Sequence, residues 1–226
     1  MKTTPRELRN LNTNSAFLHE LKQSLSLSEI QRKVLLGSLM GDGCLIENSS
    51  QSNYRFQVEH CDKQKAYVFW KYEIFKNFVL TPPTFRPDTK SWKFRTFSHN
   101  EFSRYHRVFY HERRKMLPES LEFLADPLIC AVWFMDDGGS SRSGCLINTQ
   151  NFTDGEVMRL KNFFQSEIDI PSILQRNKGR FRLYIPAAYL VKWRNFLGSN
   201  IREEFEYKLE RRRPVETSPI KVRSEG

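Results

Sequence analysis

Leu35-Leu36-Gly37-Ser38-Leu39-Met40-Gly41-Asp42-Gly43 is an apolar run that ends on Gly-Asp-Gly, and a second run of the same build stands at Cys130-Ala131-Val132-Trp133-Phe134-Met135-Asp136-Asp137-Gly138. Both carry the start signals of a helix. Ser28-Glu29-Ile30-Gln31 fits a capping box, with a hydroxyl at the cap and a Gln three residues later. Asp126-Pro127 sets a cap residue before a proline at the first helical position, where the missing N–H is no loss. The segments downstream of the two runs are alike. After the first come strand-like segments at Cys44–Glu47 and 54–59, the latter alternating Tyr54, Phe56 and Val58 with Arg55, Gln57 and Glu59. A helix over 63–78 is next, then a hairpin closing on Trp92-Lys93-Phe94-Arg95-Thr96. A second capping box, Ser98-His99-Asn100-Glu101, opens a helix to about His111. After the second run the order restarts with strands at Arg142 and 145–149 and a helix over 153–168. A hairpin then pairs 173–176 with 180–185 across Asn177-Lys178-Gly179, and a helix over 187–197 closes at Gly198.

The chain therefore reads as two copies of one αββαββα unit. Asp42 and Asp137 are 95 residues apart and Arg95 and Arg182 are 87 apart, as expected of a duplicated unit whose loops differ slightly in length. The organisation expected is an extension over 1–27 holding one short helix, a first half over 28–118, a linker at 119–125, a second half over 126–210 and a basic tail over 211–226. Within that tail Arg211-Arg212-Arg213 is most simply a solvated charge run.

Composition narrows the function classes. The 226 residues carry 36 Lys+Arg against 26 Asp+Glu, a net charge of +10. Aromatics at 13% exclude a disordered chain. No stretch approaches the ~18 uninterrupted apolar residues of a membrane span. The polar start over 1–14 has no apolar core of the secretory kind, so an intracellular protein is expected. Cys44, Cys61, Cys130 and Cys145 form no C-x-x-C pair and the histidines no H-E-x-x-H pattern, which leaves free thiols rather than zinc or disulfides. A basic chain rich in aromatics points to a polyanionic partner.

The helix-end carboxylates need a reason. Asp-Gly alone is a turn signal, but an acid in the last turn of a helix meets the negative end of the macrodipole, and here it does so twice at matching positions. A hard divalent cation reverses the sign of that penalty, because it takes carboxylate and carbonyl oxygens. Gly37 and Gly41, spaced i, i+4, leave room for a second helix to approach closely. If the two runs pack on each other there, Asp42 and Asp137 meet, and carboxylates sharing cations make a phosphodiester-cleaving site.

The two runs resemble the LAGLIDADG motif, and Trp133–Gly139 with Asn148-Thr149-Gln150 is similar to single-chain homing endonucleases of the omega-intron type. With the αββαββα repeat, the resemblance covers about residues 28–210. It implies an α+β fold with two antiparallel, saddle-shaped sheets and the motif helices at a central, pseudo-two-fold interface. It implies that Asp42 with the carbonyl of Gly41, and Asp137 with that of Asp136, bind magnesium. Manganese would substitute, and calcium would allow binding without turnover. Met40 and Met135 stand where the family carries an earlier Asp that is commonly variable, and Val132 stands where the first copy has Gly37. Neither departure removes a metal ligand.

Two lysines recur with the repeat: Lys115 lies 73 residues after Asp42, and Lys208 lies 71 after Asp137. Two solvated lysines would be unremarked in so basic a chain, but omega-type enzymes carry a lysine at each such place. Their role would be to stabilise charge on the transferring phosphate or to polarise the attacking water. Gln57, outward on its strand, resembles the residue that positions water in these sites, with Asn148 as its counterpart. On the strands, Trp92, Phe94 and Thr96 alternate with Lys93 and Arg95, and Phe181, Leu183 and Ile185 alternate with Arg180, Arg182 and Tyr184. Together with Arg55 these residues give each sheet an apolar face for its helices and a basic face for DNA. The reading is a monomeric endonuclease that cuts both strands of a long asymmetric duplex by metal-dependent hydrolysis, as in the homing of group I introns. The rivals are a maturase that binds intron RNA and a non-catalytic DNA-binding protein on the same scaffold.

Overall fold

In the computed structural model, which describes residues 16–48 and 53–210, helix α1 (Ala16–Ser24) leads into α2 (Glu29–Met40). The basic tail and the first part of the N-terminal extension lie outside the described residues. Ser28 caps α2 as its sequence requires: its hydroxyl accepts from the Gln31 N–H at 3.3 Å, and its own N–H donates to Gln31 Oε1 at 2.9 Å. The Gln31 amide also donates to the Ile74 carbonyl and to Asn77 Oδ1, both at 2.7 Å, which ties the start of α2 to the end of α3 (Lys65–Phe75).

The first half continues with β1 (Cys44–Glu47), β2 (Tyr54–Cys61), α3, β3 (Thr84–Arg86), β4 (Ser91–Arg95) and α4 (Asn100–Phe109). A small hairpin comes next, β5 (Tyr110–His111) with β6 (Arg114–Lys115). The second half runs α5 (Pro127–Asp137), β7 (Gly138–Ser141), β8 (Gly144–Ile147), α6 (Asp154–Ser166), β9 (Ile173–Asn177), β10 (Arg180–Pro186) and α7 (Leu190–Leu197). The strand orders are β1-β2-β4-β3 and β7-β8-β10-β9, all antiparallel, so the repeat in sequence is a repeat in topology.

Each sheet buries one face, as the alternation demands. Phe56, Val58 and Phe94 pack with Val68, Tyr72 and Phe75 of α3, while Cys145, Ile147, Leu183 and Ile185 belong to the same core as Leu160, Phe164 and Trp193. Helix α5 is buried along nearly its whole length, from Ile129 to Asp136, as a helix apolar on all sides must be.

The α2–α5 contact is where the two halves meet. A Cβ on Gly37 would stand 2.6 Å from the Ile129 carbonyl oxygen and 2.7 Å from Val132 Cβ, and one on Gly41 would stand 2.5 Å from Asp136 Cβ. Val132 thus fills the gap that Gly37 opens across the interface: the departure of the second motif from the first is complementary. Gly37→Ala is expected to destabilise the fold by about 1–3 kcal/mol through overpacking. Urea unfolding measures this, and an unchanged midpoint would mean the helices do not pack so closely.

Some local expectations need correcting. The cap of α4 is His99, not Ser98; His99 Nδ1 accepts from the Glu101 N–H at 3.1 Å, while Ser98 Oγ is taken by the Asn48 amide at 3.2 Å. Helix α4 ends at Phe109 rather than His111, because Tyr110 turns extended and its hydroxyl accepts from the Leu45 N–H at 3.2 Å. In the second half the first strand begins at Gly138 directly after α5, with Arg142 in the turn beyond it, and the next strand stops at Ile147.

Candidate active site at the paired helix ends

The register of the sheets fixes which residues are pseudo-symmetric. Two residues beyond Asp42 and Asp137 stand Cys44 and Gly139, which pair with Gln57 and Leu146. Those residues in turn pair with Arg95 and Tyr184. Counting along the strands, Glu59 matches Asn148 and Lys93 matches Arg182. The expected pairing of Gln57 with Asn148, and of Arg95 with Arg182, is therefore two residues out of register: loop lengths hid the shift from spacing alone.

Asp42 stands just past α2, Asp137 ends α5, and the two acids are close enough to repel. Burial first, then Asp42 and Asp136, push the Asp137 carboxyl up to about 8. Burial and Asp136 raise Asp42, against the lowering pull of Lys71, Lys115 and Lys208. Both lysines that recur with the repeat reach this place. Lys115 Nζ donates to the Gly41 and Gly43 carbonyls at 2.7 and 2.8 Å. Lys208 Nζ donates to the Met135 carbonyl at 2.5 Å and the Asp136 carbonyl at 3.4 Å. Each lysine so covers the carbonyl end of one motif helix, where a cation is favoured. Burial lowers both amines, opposed chiefly by Asp137 for Lys115 and by Asp136 for Lys208.

Beneath the carboxylates lies a group that sequence reading missed. Lys71, fully buried on α3, donates to both oxygens of the equally buried Asp136 carboxylate at 2.9 and 3.0 Å. His60 stands between the motifs, Nδ1 3.7 Å from Asp42 Oδ2 and Nε2 3.7 Å from Asp136 Oδ1. Burial lowers His60 to about 4, so it is a neutral imidazole at neutral pH. Periodicity held the signal for both. Lys71 sits four residues after Tyr67 and four before Phe75 on the buried stripe of α3, and His60 continues the buried phase of Phe56 and Val58. The group is asymmetric, because the residue equivalent to Asp136 in the first half is Gly41.

The other expected site residues divide. Gln57 Nε2 approaches Cys44 Sγ at 3.9 Å, and the Asn148 N–H donates to the Asp137 carbonyl at 3.0 Å while its Oδ1 accepts from Gln150 at 3.4 Å. Of these two, Asn148 is bonded to a motif acid, through its backbone N–H. Cross-strand pairs set Arg55, Lys93 and Arg95 on the open face of the first sheet, and Arg180, Arg182 and Tyr184 on that of the second. Several are already engaged: Arg182 Nε donates to Gln175 Oε1 at 3.0 Å, and the Tyr184 hydroxyl donates to the Ser143 carbonyl at 2.6 Å.

Among the described residues no group of three or more His, Cys, Asp or Glu side chains is arranged to hold a metal ion by itself. The donor set still suits a hard cation of the magnesium type, which is held by one or two carboxylates with the remaining positions left to phosphate and water. The Gly41 and Asp136 carbonyls, though accepting from lysines, each keep a second lone pair.

The carboxyl of Asp137 also predicts a pH dependence. Its folded value is raised above the ordinary 3.8 to about 8, so the stability it contributes is complete below the ordinary value and lost as pH rises through about 8. In chelator, the melting temperature of wild type should therefore fall relative to that of Asp137→Asn between pH 5 and pH 8. Parallel melting curves across that range would refute the raised value.

The LAGLIDADG DNA endonuclease family model matches residues 32–192. A probable intron-encoded endonuclease 1 of Wickerhamomyces canadensis is 27% identical, covering 90% of this chain and 94% of that protein. The homing endonuclease I-WcaI, solved bound to its DNA recognition sequence, superposes with a TM-score of 0.79 at 25% identity, covering 91% of this chain and 97% of that one. A shorter match, 33% identical over 37% of this chain and 32% of the relative, is to a cytochrome b mRNA maturase bI2 of Debaryomyces hansenii. Among the described residues no helix is long and apolar enough to cross a membrane.

Proposed function

Because the chain belongs to the LAGLIDADG DNA endonuclease family, we propose that it is a homing endonuclease that acts as a monomer on a long, asymmetric duplex. The observation that carries this reading is the meeting of Asp42 and Asp137 at two pseudo-symmetric helix ends, each covered by its own lysine and flanked by a sheet with a basic open face. A pure binder would gain nothing from two repelling carboxylates beside phosphate.

Asp42 with the Gly41 carbonyl, and Asp137 with the Asp136 carbonyl, are the groups that would hold magnesium. When bound, the cation supplies the charge that lets two carboxylates and the scissile phosphate share one space, and it acidifies the attacking water. Lys115 and Lys208, fixed on the neighbouring carbonyls, either stabilise the transferring phosphate or polarise that water. Asn148 orients water in the second half; Gln57 belongs further along its strand. Arg55, Lys93, Arg95, Arg180, Arg182 and Tyr184 contact duplex DNA, mostly through phosphates. The two halves, 28–118 and 126–210, each serve one strand.

The test is cleavage mapping in a randomised plasmid library. Magnesium or manganese is expected to support cutting at one site, with short 3′ overhangs, and calcium to allow binding with little turnover because its looser coordination positions water poorly. The similarity to a maturase favours one second reading, in which the chain binds the RNA of a group I intron. Such a protein would leave every duplex uncut in magnesium, yet speed splicing even after Asp42 and Asp137 both become Asn.

A further inference from the structure

The segments that carry Lys115 and Lys208 each rest on the opposite half, and on the same element of it. The chain leaves β6 at Lys115 and runs to α6 of the second half. There Glu156 Oε1 accepts from the Leu117 N–H at 2.8 Å, and Arg159 donates to the Pro118 carbonyl at 2.9 Å and to that of Glu119. Arg114, on the other side of Lys115, stands 3.4 Å from Glu156 Oε2. The reciprocal contact is made by Glu203–Leu209, the segment that holds Lys208, against α3 of the first half. Phe205 sets its ring edge-on to Tyr67 with centroids 4.8 Å apart, and the Arg202 guanidinium lies 5.6 Å from the centre of the Trp70 ring. Helices α3 and α6 are equivalent in the repeat, each following the second strand of its sheet. One anchor is polar and the other aromatic, yet their placement repeats.

We propose that Glu156 and Arg159 are positioning residues for cutting of the DNA strand that Lys115 serves, acting on that lysine from the opposite half. The inference rests on the role given to Lys115 above. On its own side Lys115 is held by a hairpin of two residues per strand, where it pairs with Tyr110. Its amine must nevertheless stay at 2.7 and 2.8 Å from the Gly41 and Gly43 carbonyls. A misplacement of ~1 Å costs on the order of a hundredfold in rate at such a site. Glu156 fixes the backbone just beyond the lysine, because Leu117 is buried and a buried N–H needs a partner. Glu156 is itself fixed at the start of α6, where its Oε2 accepts from the Thr153 N–H and hydroxyl, both at 2.7 Å. One carboxylate thus caps its own helix with one oxygen and holds the strap of the other half with the second.

The experiment follows the two strands of the mapped target separately, each labelled at one end, in magnesium, with binding measured in calcium. Lys115→Met identifies the strand that this lysine serves. Glu156→Ala and Arg159→Met are expected to slow that same strand by roughly tenfold relative to the other, so that nicked duplex accumulates while affinity in calcium is unchanged. Arg159 is exposed on α6, so its replacement does not open the core. Thr153→Ala weakens the same helix start but leaves the Leu117 bond in place; it should lower the melting temperature and keep the wild-type strand ratio. If Lys115→Met singles out a strand but neither Glu156→Ala nor Arg159→Met changes the ratio of the two rates, α6 only braces the interface and the inference is overturned. It is overturned equally if Thr153→Ala shifts the ratio as far as they do. A Lys115→Met variant that treats both strands alike, or a wild type that cuts no duplex, overturns the functional reading itself, and this inference with it.

Discussion

Asp42→Asn or Asp137→Asn is expected to abolish double-strand cleavage while leaving binding to the target largely intact. A cation held by these carboxylates contributes several kcal/mol of charge stabilisation in the transition state, and each ~1.4 kcal/mol is a factor of ten in rate, so a loss of about a thousandfold is expected. The ground state loses less, because DNA is held mostly by the sheets and their phosphate contacts. Unfolding would not explain the loss. Asp137 is raised to about 8 by burial and by its acidic neighbours, so replacing it with a neutral amide relieves repulsion and should stabilise the protein while silencing it. Stability rising as activity falls is the signature of a site that stores strain for function. Cleavage and binding assays on one target decide it, and full cutting by the double variant would sink the assignment.

The two motifs are legible in the sequence because their signals are local, while their surroundings are set by distant partners. Helix starts are local chemistry: Ser28 with Gln31 and Asp126 with Pro127 carry their own hydrogen-bonding instructions, and the helices begin where they say. Alternation along β2, β4 and β10 is local too, and it puts Arg55, Arg95 and Arg182 on the open faces. Local rules failed where a distant partner decided the outcome. Ser98 yields the cap to His99 because the Asn48 amide, 50 residues away, takes its hydroxyl. The end of α4 is set by the bond from Leu45 to Tyr110. The two-residue shift that matches Glu59 with Asn148 arises from loop lengths, and cross-strand pairing alone reveals it.

Pseudo-symmetry is broken in the centre as well as on the sheets. At the position where the second motif carries Asp136, the first carries Gly41, and the space left by the missing side chain is what Asp136 occupies: a Cβ on Gly41 would lie 3.0 Å from Asp136 Oδ2. A carboxylate so placed, out of water and close to Asp42, needs a cation. Lys71 supplies it from the first half, and the interface is thereby closed by an ion pair that reaches from α3 into the end of α5.

That pair sets the largest stability effect expected of any single substitution here. Lys71→Met removes the amine and leaves Asp136 buried without its cation, at an expected cost of about 3–5 kcal/mol. The isolated pair is not itself a large source of stability, since desolvating both groups consumes most of their attraction. Lys71→Met combined with Asp136→Asn should therefore recover much of the loss, because the charge that made the single variant costly is gone. Four unfolding curves in guanidinium, of wild type, Lys71→Met, Asp136→Asn and the double variant, isolate the coupling. Recovery should extend to the fold more than to catalysis. Asp136 adjoins Asp137, and the double variant has lost the Lys71–Asp136 ion pair that holds the end of α5, although the backbone carbonyl of residue 136 still accepts from Lys208. A cost below about 1 kcal/mol for Lys71→Met would mean that water reaches Asp136 in solution, and that the two halves are not joined by a dry ion pair.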